Sequence, residues 1–293
     1  GQTPHKIMAY ILSWHVADQD IESAVDLLSD LAPWGWEEIA QRGGCDLRVH
    51  VEERKQLKQL QRRIRTAWPQ AKLETDKVHD TDWQTAWQFF FQPVEVAETF
   101  CILPPWKLEE DHNQSLTPLI IHPKMAFGTG HHPTTILCLR AMVHLREQGL
   151  WPTGKTILDV GTGSGILAIA AAHLGSASVA MDIDPVAMDN ARENVLANNA
   201  EDLVSLFCGD VSSLRSGPSY PLVVANILAG PLIRMAPDLV GWVEEKGTLI
   251  LSGVLTSQVA SVGQAYEVQG LGAPQVEHHG EWASLMWMGE GRE

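Results

Sequence analysis

The spacing of apolar positions changes twice along the chain. Between residues 7 and 80, runs at Ile7–Val16, Leu47–Glu52 and Lys72–Val78 read as strands, and helical spacing covers Asp20–Leu31 and Arg54–Trp68. This mixture predicts a small α+β layer. Residues 81–118 lose the period and are rich in Trp and Pro, as in "DWQTAW" and "LPPWKLEEDHNQSLTP", which reads as a bridging segment. From Gly154 onward the pattern is regular. "TILDV" is a buried-strand run, "GTGSG" a turn, and Ile166–Leu174 a helix closed by Gly175. "SVAMD" is the next strand, and Asp184 can cap a helix that starts at Pro185 and runs to about Asn198. "VSLFC", "PLVVAN" and "GTLILS" supply further strands. Strand and helix in alternation predict a doubly wound, mostly parallel α/β sheet. The expected organisation is an α+β domain over 1–80, a bridge over 81–118 and the α/β domain over 119–293.

Composition narrows the partners. A formal net charge of −15 argues against general affinity for duplex nucleic acid, which needs clustered cations, and no direct sequence-specific nucleic-acid binding is expected. A basic partner suits the chain better. Arg54, Lys55, Lys58, Arg62, Arg63 and Arg65 form one basic stretch; the solvated face of a helix whose Leu57, Leu60 and Ile64 point inward is favoured over a binding surface. The longest wholly apolar run, Ile166–Ala172, is too short to span a bilayer, and the first residues show no signal pattern. A cytoplasmic protein without membrane contact is expected. Cys45, Cys101, Cys138 and Cys208 lie far apart without a CxxC pair, so they are read as small core residues rather than disulfide or zinc ligands.

In a doubly wound sheet, ligands bind outside the carboxyl ends of the strands, near the point where strand order reverses. The candidate residues fall there. Gly161, Gly163 and Gly165 follow the first strand, Asp182 ends the second, Asp210 follows the third and Asn226 ends the fourth. Asp182 stands 21 positions after Gly161, the distance at which a carboxylate meets ribose hydroxyls. A dinucleotide fingerprint would need glycine at position 166, where Ile166 stands, and no G-K-[ST] follows either glycine cluster. S-adenosylmethionine is therefore favoured over a nicotinamide dinucleotide or a nucleoside triphosphate. Residues 122–135, "HPKMAFGTGHHPTT", leave three readings open: a metal site on His122, His131 and His132, a phosphate cradle, or a loop closing over another ligand.

"DWQTAW", "LPPW", "MAFGTGHHPTT", "LDVGTGSGILAIAA", "DIDPVAMDNARENV", "VVANILAGPL" and "GTLILSGVL" together resemble the ribosomal protein L11 methyltransferases, the PrmA family. The resemblance spans about residues 80–255. It implies a seven-stranded methyltransferase domain behind a small substrate-recognition domain, S-adenosylmethionine as cofactor, and methylation of lysine side-chain and N-terminal amines on a basic ribosomal protein of the large subunit. It also implies that Phe127, Gly128, Thr129 and Gly130 border cofactor and acceptor amine, and that Thr135 contacts the cofactor. No metal is expected, because a sulfonium methyl is already activated. Asn226 and the carbonyls after it can accept hydrogen bonds from the acceptor amine. "NILA" offers no aromatic ring for a flipped nucleobase, so a protein amine fits better. The alternatives are another protein lysine or a small amine as substrate, a nicotinamide-dependent oxidoreductase, or a non-catalytic nucleotide binder.

Overall fold

The computed structural model describes residues 9–32, 36–51, 54–78, 93–108, 113–122, 133–210 and 219–289. The chain divides into two compact units, Gly1–Gln92 and Pro93–Glu293.

Period-two burial builds the first unit. In strand β1 (Ala9–Ala17), Tyr10, Leu12, Trp14 and Val16 are buried, and in β3 (Gly44–Val51) so are Cys45, Leu47, Val49 and Val51. Alternation of this kind makes a sheet apolar on one face only. Helices α1 (Ile21–Leu31) and α2 (Arg54–Ala67) complete the layer; α2 buries Leu57, Leu60 and Ile64, as its spacing predicts. With β2 (Glu37–Gln41) and β4 (Glu74–Val78) the antiparallel sheet has the order β2-β3-β1-β4. Strand β2, "EEIAQ", was not expected from the sequence. It is an edge strand paired only to β3, so it needs little apolar content.

In the second unit, β5 (Val94–Val96), β6 (Phe100–Leu103) and β7 (Thr117–Ile120) form a small sheet. The expected bridge over 81–118 thus differs from what is seen: its described part, from residue 93, folds within this unit, because Phe100, Ile102 and Leu119 are buried in the same core as helix α3 (Pro133–Glu147). Residues 81–92 and 109–112 lie outside the described residues.

The main sheet follows the expected alternation. Its elements are β8 (Thr156–Val160), α4 (Ile166–His173), β9 (Ala177–Asp182), α5 (Pro185–Ala197), β10 (Val204–Cys208) and β11 (Tyr220–Asn226). Helices α6 (Ala229–Arg234) and α7 (Ala236–Trp242), strand β12 (Val243–Leu255), helix α8 (Val259–Glu267) and the hairpin β13 (Gln275–His279) and β14 (Trp282–Trp287) complete it. The seven strands take the order β10-β9-β8-β11-β12-β14-β13. Only β14 runs against the others.

Both faces of this sheet are covered. Ile157, Leu222, Val224 and Ile250 face one core with α3 and α4; Leu158, Val223, Ala225 and Leu251 face the other with Leu232, Leu239, Val262 and Tyr266. Two-sided burial explains why "TILDV" and "PLVVAN" read as continuous apolar runs. Helix α4 is buried along Ile166–Ala171; each fully buried Ile or Leu there contributes about 1.5–3 kcal/mol. Two buried ring groups find backbone acceptors: Tyr266 donates its hydroxyl to the Leu232 carbonyl at 2.9 Å, and Trp287 Nε1 donates to the Gly272 carbonyl at 2.7 Å. Among the cysteines, Cys45, Cys101 and Cys138 are buried, but Cys208 is exposed. The core assignment fails there because Cys208 ends β10, an edge strand. No helix among the described residues is long and apolar enough to cross a membrane.

Candidate active site

The chain leaves β8 towards β9 and β10 on one side and later returns to β11 on the other. The carboxyl ends of β8 and β11 therefore flank the reversal point, where such sheets open a crevice. Gly161, Gly163 and Gly165 all take left-handed φ, +71°, +55° and +80°, which glycine adopts at little strain. The turn they make is anchored on β9: the amides of Gly161 and Thr162 donate to the Met181 carbonyl at 2.8 and 2.9 Å. The Gly163 amide donates to Asp182 Oδ2 at 2.9 Å, and the Asp184 amide to Oδ1 at 3.0 Å. Asp184 in turn caps α5 by accepting from the Val186 amide at 2.9 Å. Asp182 is half-buried and aimed by two amides. A carboxylate has about four acceptor positions, so it retains capacity for incoming hydroxyl donors.

Asp159 lies beneath the same turn, fully buried, and accepts from Thr162 Oγ1 at 2.6 Å. Burial pushes its carboxyl up to about 7; the Thr162 hydrogen bond opposes this and the Asp182 charge reinforces it. Its ordinary value is near 3.9, so between the two values the folded protein holds a proton that the unfolded chain releases. Stability should then fall as pH rises from about 4 to about 7, by up to about 1.4 kcal/mol per pH unit, and level off above. Urea titrations should show this decline in the native sequence but not in Asp159→Asn; equal pH slopes in both would refute it.

The other wall is built at the end of β11. Asn226 Nδ2 donates to Thr135 Oγ1 at 3.3 Å, while Asn226 Oδ1 is buried with no hydrogen-bond partner among the described residues. Thr134 and Thr135 are buried in the first turn of α3, held because Ser252 Oγ donates to the Thr134 carbonyl at 2.9 Å. Ile227 joins the two walls. A Cβ on Gly161 would lie 2.3 Å from Ile227 Cγ2, and a Cβ on Gly253 would lie 2.2 Å from the Ile227 carbonyl oxygen.

Of the residues expected to form the site, Gly163 and Asp182 are directly hydrogen-bonded, as are Thr135 and Asn226, and Gly161 adjoins Ile227. Asp210 follows β10 at the same edge and is exposed. Phe127, Gly128, Thr129, Gly130, His131 and His132 lie outside the described residues. His122 contacts Asn194 Oδ1 through both its amide and its Nδ1, at 2.8 and 3.1 Å. Asn194 also donates to the Ser164 carbonyl at 2.8 Å, and Asn198 bonds both the amide and the carbonyl of Ile120, at 2.9 and 2.7 Å. These asparagines clip the end of β7 to the glycine turn. The sequence signal for them is faint: two amides four positions apart, Asn194 in the last turn of α5 and Asn198 just after it. Ile183 was also missed; it is 74% exposed between Asp182 and Asp184, an apolar surface at the crevice mouth. A cavity of about 740 Å³, bordered by Trp151, Lys155, Pro221, Glu244 and Thr248, opens at the opposite, amino-terminal edge of the sheet.

A seven-stranded sheet with one antiparallel insertion, a glycine turn on β8 and a carboxylate ending β9 define a Rossmann-like methyltransferase. The family model of the ribosomal protein L11 methyltransferases (PrmA) matches residues 19–289. Ribosomal protein L11 methyltransferases of Bacillus cytotoxicus and Bacillus cereus are 38% and 37% identical over 215 residues, 73% of this chain and 67% of theirs. A crystal structure of ribosomal protein L11 methylase from Lactobacillus delbrueckii subsp. bulgaricus aligns with a TM-score of 0.59 and 30% identity over 67% of this chain and 97% of that one. The chain belongs to the ribosomal protein L11 methyltransferase (PrmA) family.

Proposed function

We propose that the protein transfers methyl groups from S-adenosylmethionine to lysine side-chain and N-terminal amines of the large-subunit ribosomal protein L11, in the cytoplasm. The observation that carries this reading is Asn226 Oδ1, a buried acceptor without a donor among the described residues, in a site that also holds the glycine turn and the half-buried carboxylate of Asp182. A buried, unmatched acceptor is unfavourable by about 1–3 kcal/mol, and an amine donor arriving with substrate relieves it. Asp182 would hold the ribose hydroxyls, Ile183 would cover one face of the adenine, and the Gly161–Gly165 turn with the first turn of α3 would hold the methionine end. Asp210 stands where it can meet the base. When bound, the cofactor supplies a methyl activated by its sulfonium. Asn226 and the carbonyls following it orient the acceptor nitrogen. Placed in an apolar crevice near a cationic sulfonium, a lysine amine loses its proton more readily, which leaves the lone pair free for in-line attack. The first unit, which holds none of these residues, recognises the protein substrate.

The test is incubation of the full chain with purified L11 and S-adenosylmethionine, followed by mass spectrometry of L11. Methyl increments on lysines and the N-terminus are expected; unmodified L11 beside active cofactor binding would move the substrate to another protein or a small amine. Asp182→Ala should weaken S-adenosylmethionine binding by about 1–3 kcal/mol in calorimetry, because buried ribose hydroxyls lose a charged acceptor. Unchanged affinity would remove the ribose assignment.

A further inference from the structure

Ser252 stands one strand away from Asn226. The two are in register across β12 and β11, and residues paired in this way project from the same face of the sheet. Ser252 is wholly buried there. Its hydroxyl donates to the Thr134 carbonyl at 2.9 Å, and Cys138, one turn further along α3, hydrogen-bonds the same hydroxyl. Its own carbonyl accepts from the Ile227 amide at 3.2 Å. One residue thus grips the start of α3 with its side chain and the end of β11 with its backbone. The Asn226 carboxamide is tied to both grips: Asn226 precedes Ile227, and its Nδ2 donates to Thr135 Oγ1 at 3.3 Å.

The bond to Thr134 is not needed to satisfy a lone carbonyl. Within a helix each carbonyl already accepts from the amide four residues on, and Thr134 lies inside α3. What the extra bond adds is direction. Apolar packing rewards buried area and is indifferent to angle, so a helix held by packing alone can turn slightly against a sheet. A hydrogen bond weakens steeply once its angle departs from the optimum. This one joins positions 118 residues apart and pins the first turn of α3 where Thr135 meets Asn226. Cys138 reinforces it. Burial first, and the Asp159 charge second, keep the Cys138 thiol protonated; it can then donate to Ser252 Oγ, which leaves the Ser252 proton aimed at Thr134.

We infer that Ser252 is a positioning residue for methyl transfer: through the first turn of α3 and Thr135, it sets the direction in which Asn226 Oδ1 is presented to the acceptor amine. This role depends on the amine-orienting role proposed above for Asn226. Having no accessible surface of its own, Ser252 acts through Asn226 and not on the amine.

The experiment is a double-mutant cycle of Ser252→Ala and Asn226→Ala in the full chain. The readouts are turnover by methyl incorporation into purified L11 at saturating substrates, S-adenosylmethionine affinity by calorimetry, and the Asn226 side-chain amide signals in proton–nitrogen NMR spectra. Ser252→Ala alone should lower turnover by about tenfold, since a shift of about 1 Å in the reacting groups is worth about a hundredfold and the loss of one bond permits only part of that shift. Cofactor affinity should stay within about threefold of native, because the interaction with the amine is made in the reacting complex. In the Asn226→Ala background the same substitution should cause no further loss of turnover, because residues acting as one unit are not additive. The Asn226 signals, assigned by their disappearance in Asn226→Ala, should move in Ser252→Ala. A turnover loss that persists undiminished in the Asn226→Ala background marks a displaced cofactor or a loosened fold and overturns the proposal, as do unchanged Asn226 signals. Native turnover in Ser252→Ala beside impaired Asn226→Ala overturns the role of Ser252 alone; native turnover in Asn226→Ala overturns both roles. If Ser252→Ala melts too low to assay, Ser252→Cys, whose thiol fills the space but donates weakly, carries the same comparison: a smaller loss of turnover and displaced Asn226 signals are expected, and native turnover with unchanged signals overturns the proposal.

Discussion

Replacing Asn226 with alanine should lower the turnover number by about a hundredfold or more, with a much smaller change in S-adenosylmethionine affinity. Its side-chain nitrogen is engaged by Thr135 Oγ1 at 3.3 Å, so its oxygen faces the other side, buried and without a donor among the described residues. An acceptor held that way can set the angle at which an amine meets the methyl carbon, and misplacing reacting groups by about 1 Å is worth about a hundredfold in rate. Loss confined to turnover marks an interaction made with the reacting amine, whereas a parallel loss of cofactor affinity marks a structural one. Measuring the turnover number by methyl incorporation and the dissociation constant by calorimetry on the same preparation separates them. Equal losses in both would return Asn226 to the role of a turn-capping amide.

Gly253→Ala should destabilise the protein by about 2–5 kcal/mol, the sum of left-handed backbone strain and overpacking. Gly253 has φ +87°, and its added Cβ would meet backbone atoms of Ile227, oxygen at 2.2 Å and carbonyl carbon at 2.8 Å. Backbone at this point cannot withdraw freely, because the Ile227 amide donates to the Ser252 carbonyl at 3.2 Å. The melting temperature should fall by roughly 5–15 °C, and activity should fall with it, since Asn226 adjoins the displaced residue. Gly161→Ala is the informative comparison. Its Cβ would meet only the Ile227 side chain, at 2.3 Å, which can turn away, so the thermal loss should be the smaller of the two. A Gly253→Ala protein that melts like the native one would show that β12 and the end of β11 are looser than these distances imply.

The elements that could be read in advance are those set within a few residues. The Asp184–Pro185 start of α5, the "GTGSG" turn and the strand runs of β8 to β11 appear where their local chemistry places them. The carboxylate at the end of β9 and the amide at the end of β11 follow from the same pattern, because strand length and turn chemistry decide which residue comes last. What was not legible depends on partners far along the chain. The clips of Asn194 on His122 and Asn198 on Ile120 span 72 and 78 positions. The bond from Ser252 that sets the first turn of α3 spans 118 positions. Cys208 is exposed on an edge strand, whereas Cys45 and Cys101 sit in strands inside their sheets and Cys138 in helix α3.

By itself, then, the amino-acid sequence determined the alternation of elements, the doubly wound class of the second unit, the capped helices and the residues that end each strand. Periodicity and turn chemistry are local, and local free energies of a few tenths to about 1 kcal/mol per residue suffice to bias them. Tertiary structure alone decided that residues 93–108 and 113–118 fold with the second unit, that β14 enters the sheet antiparallel between β12 and β13, and that Ile227 is wedged between Gly161 and Gly253. It also decided that Asn226 Oδ1 is left without a partner among the described residues. Each of these depends on which surfaces meet across long stretches of chain, and burial rewards any apolar surface roughly by area, whatever its place in the sequence.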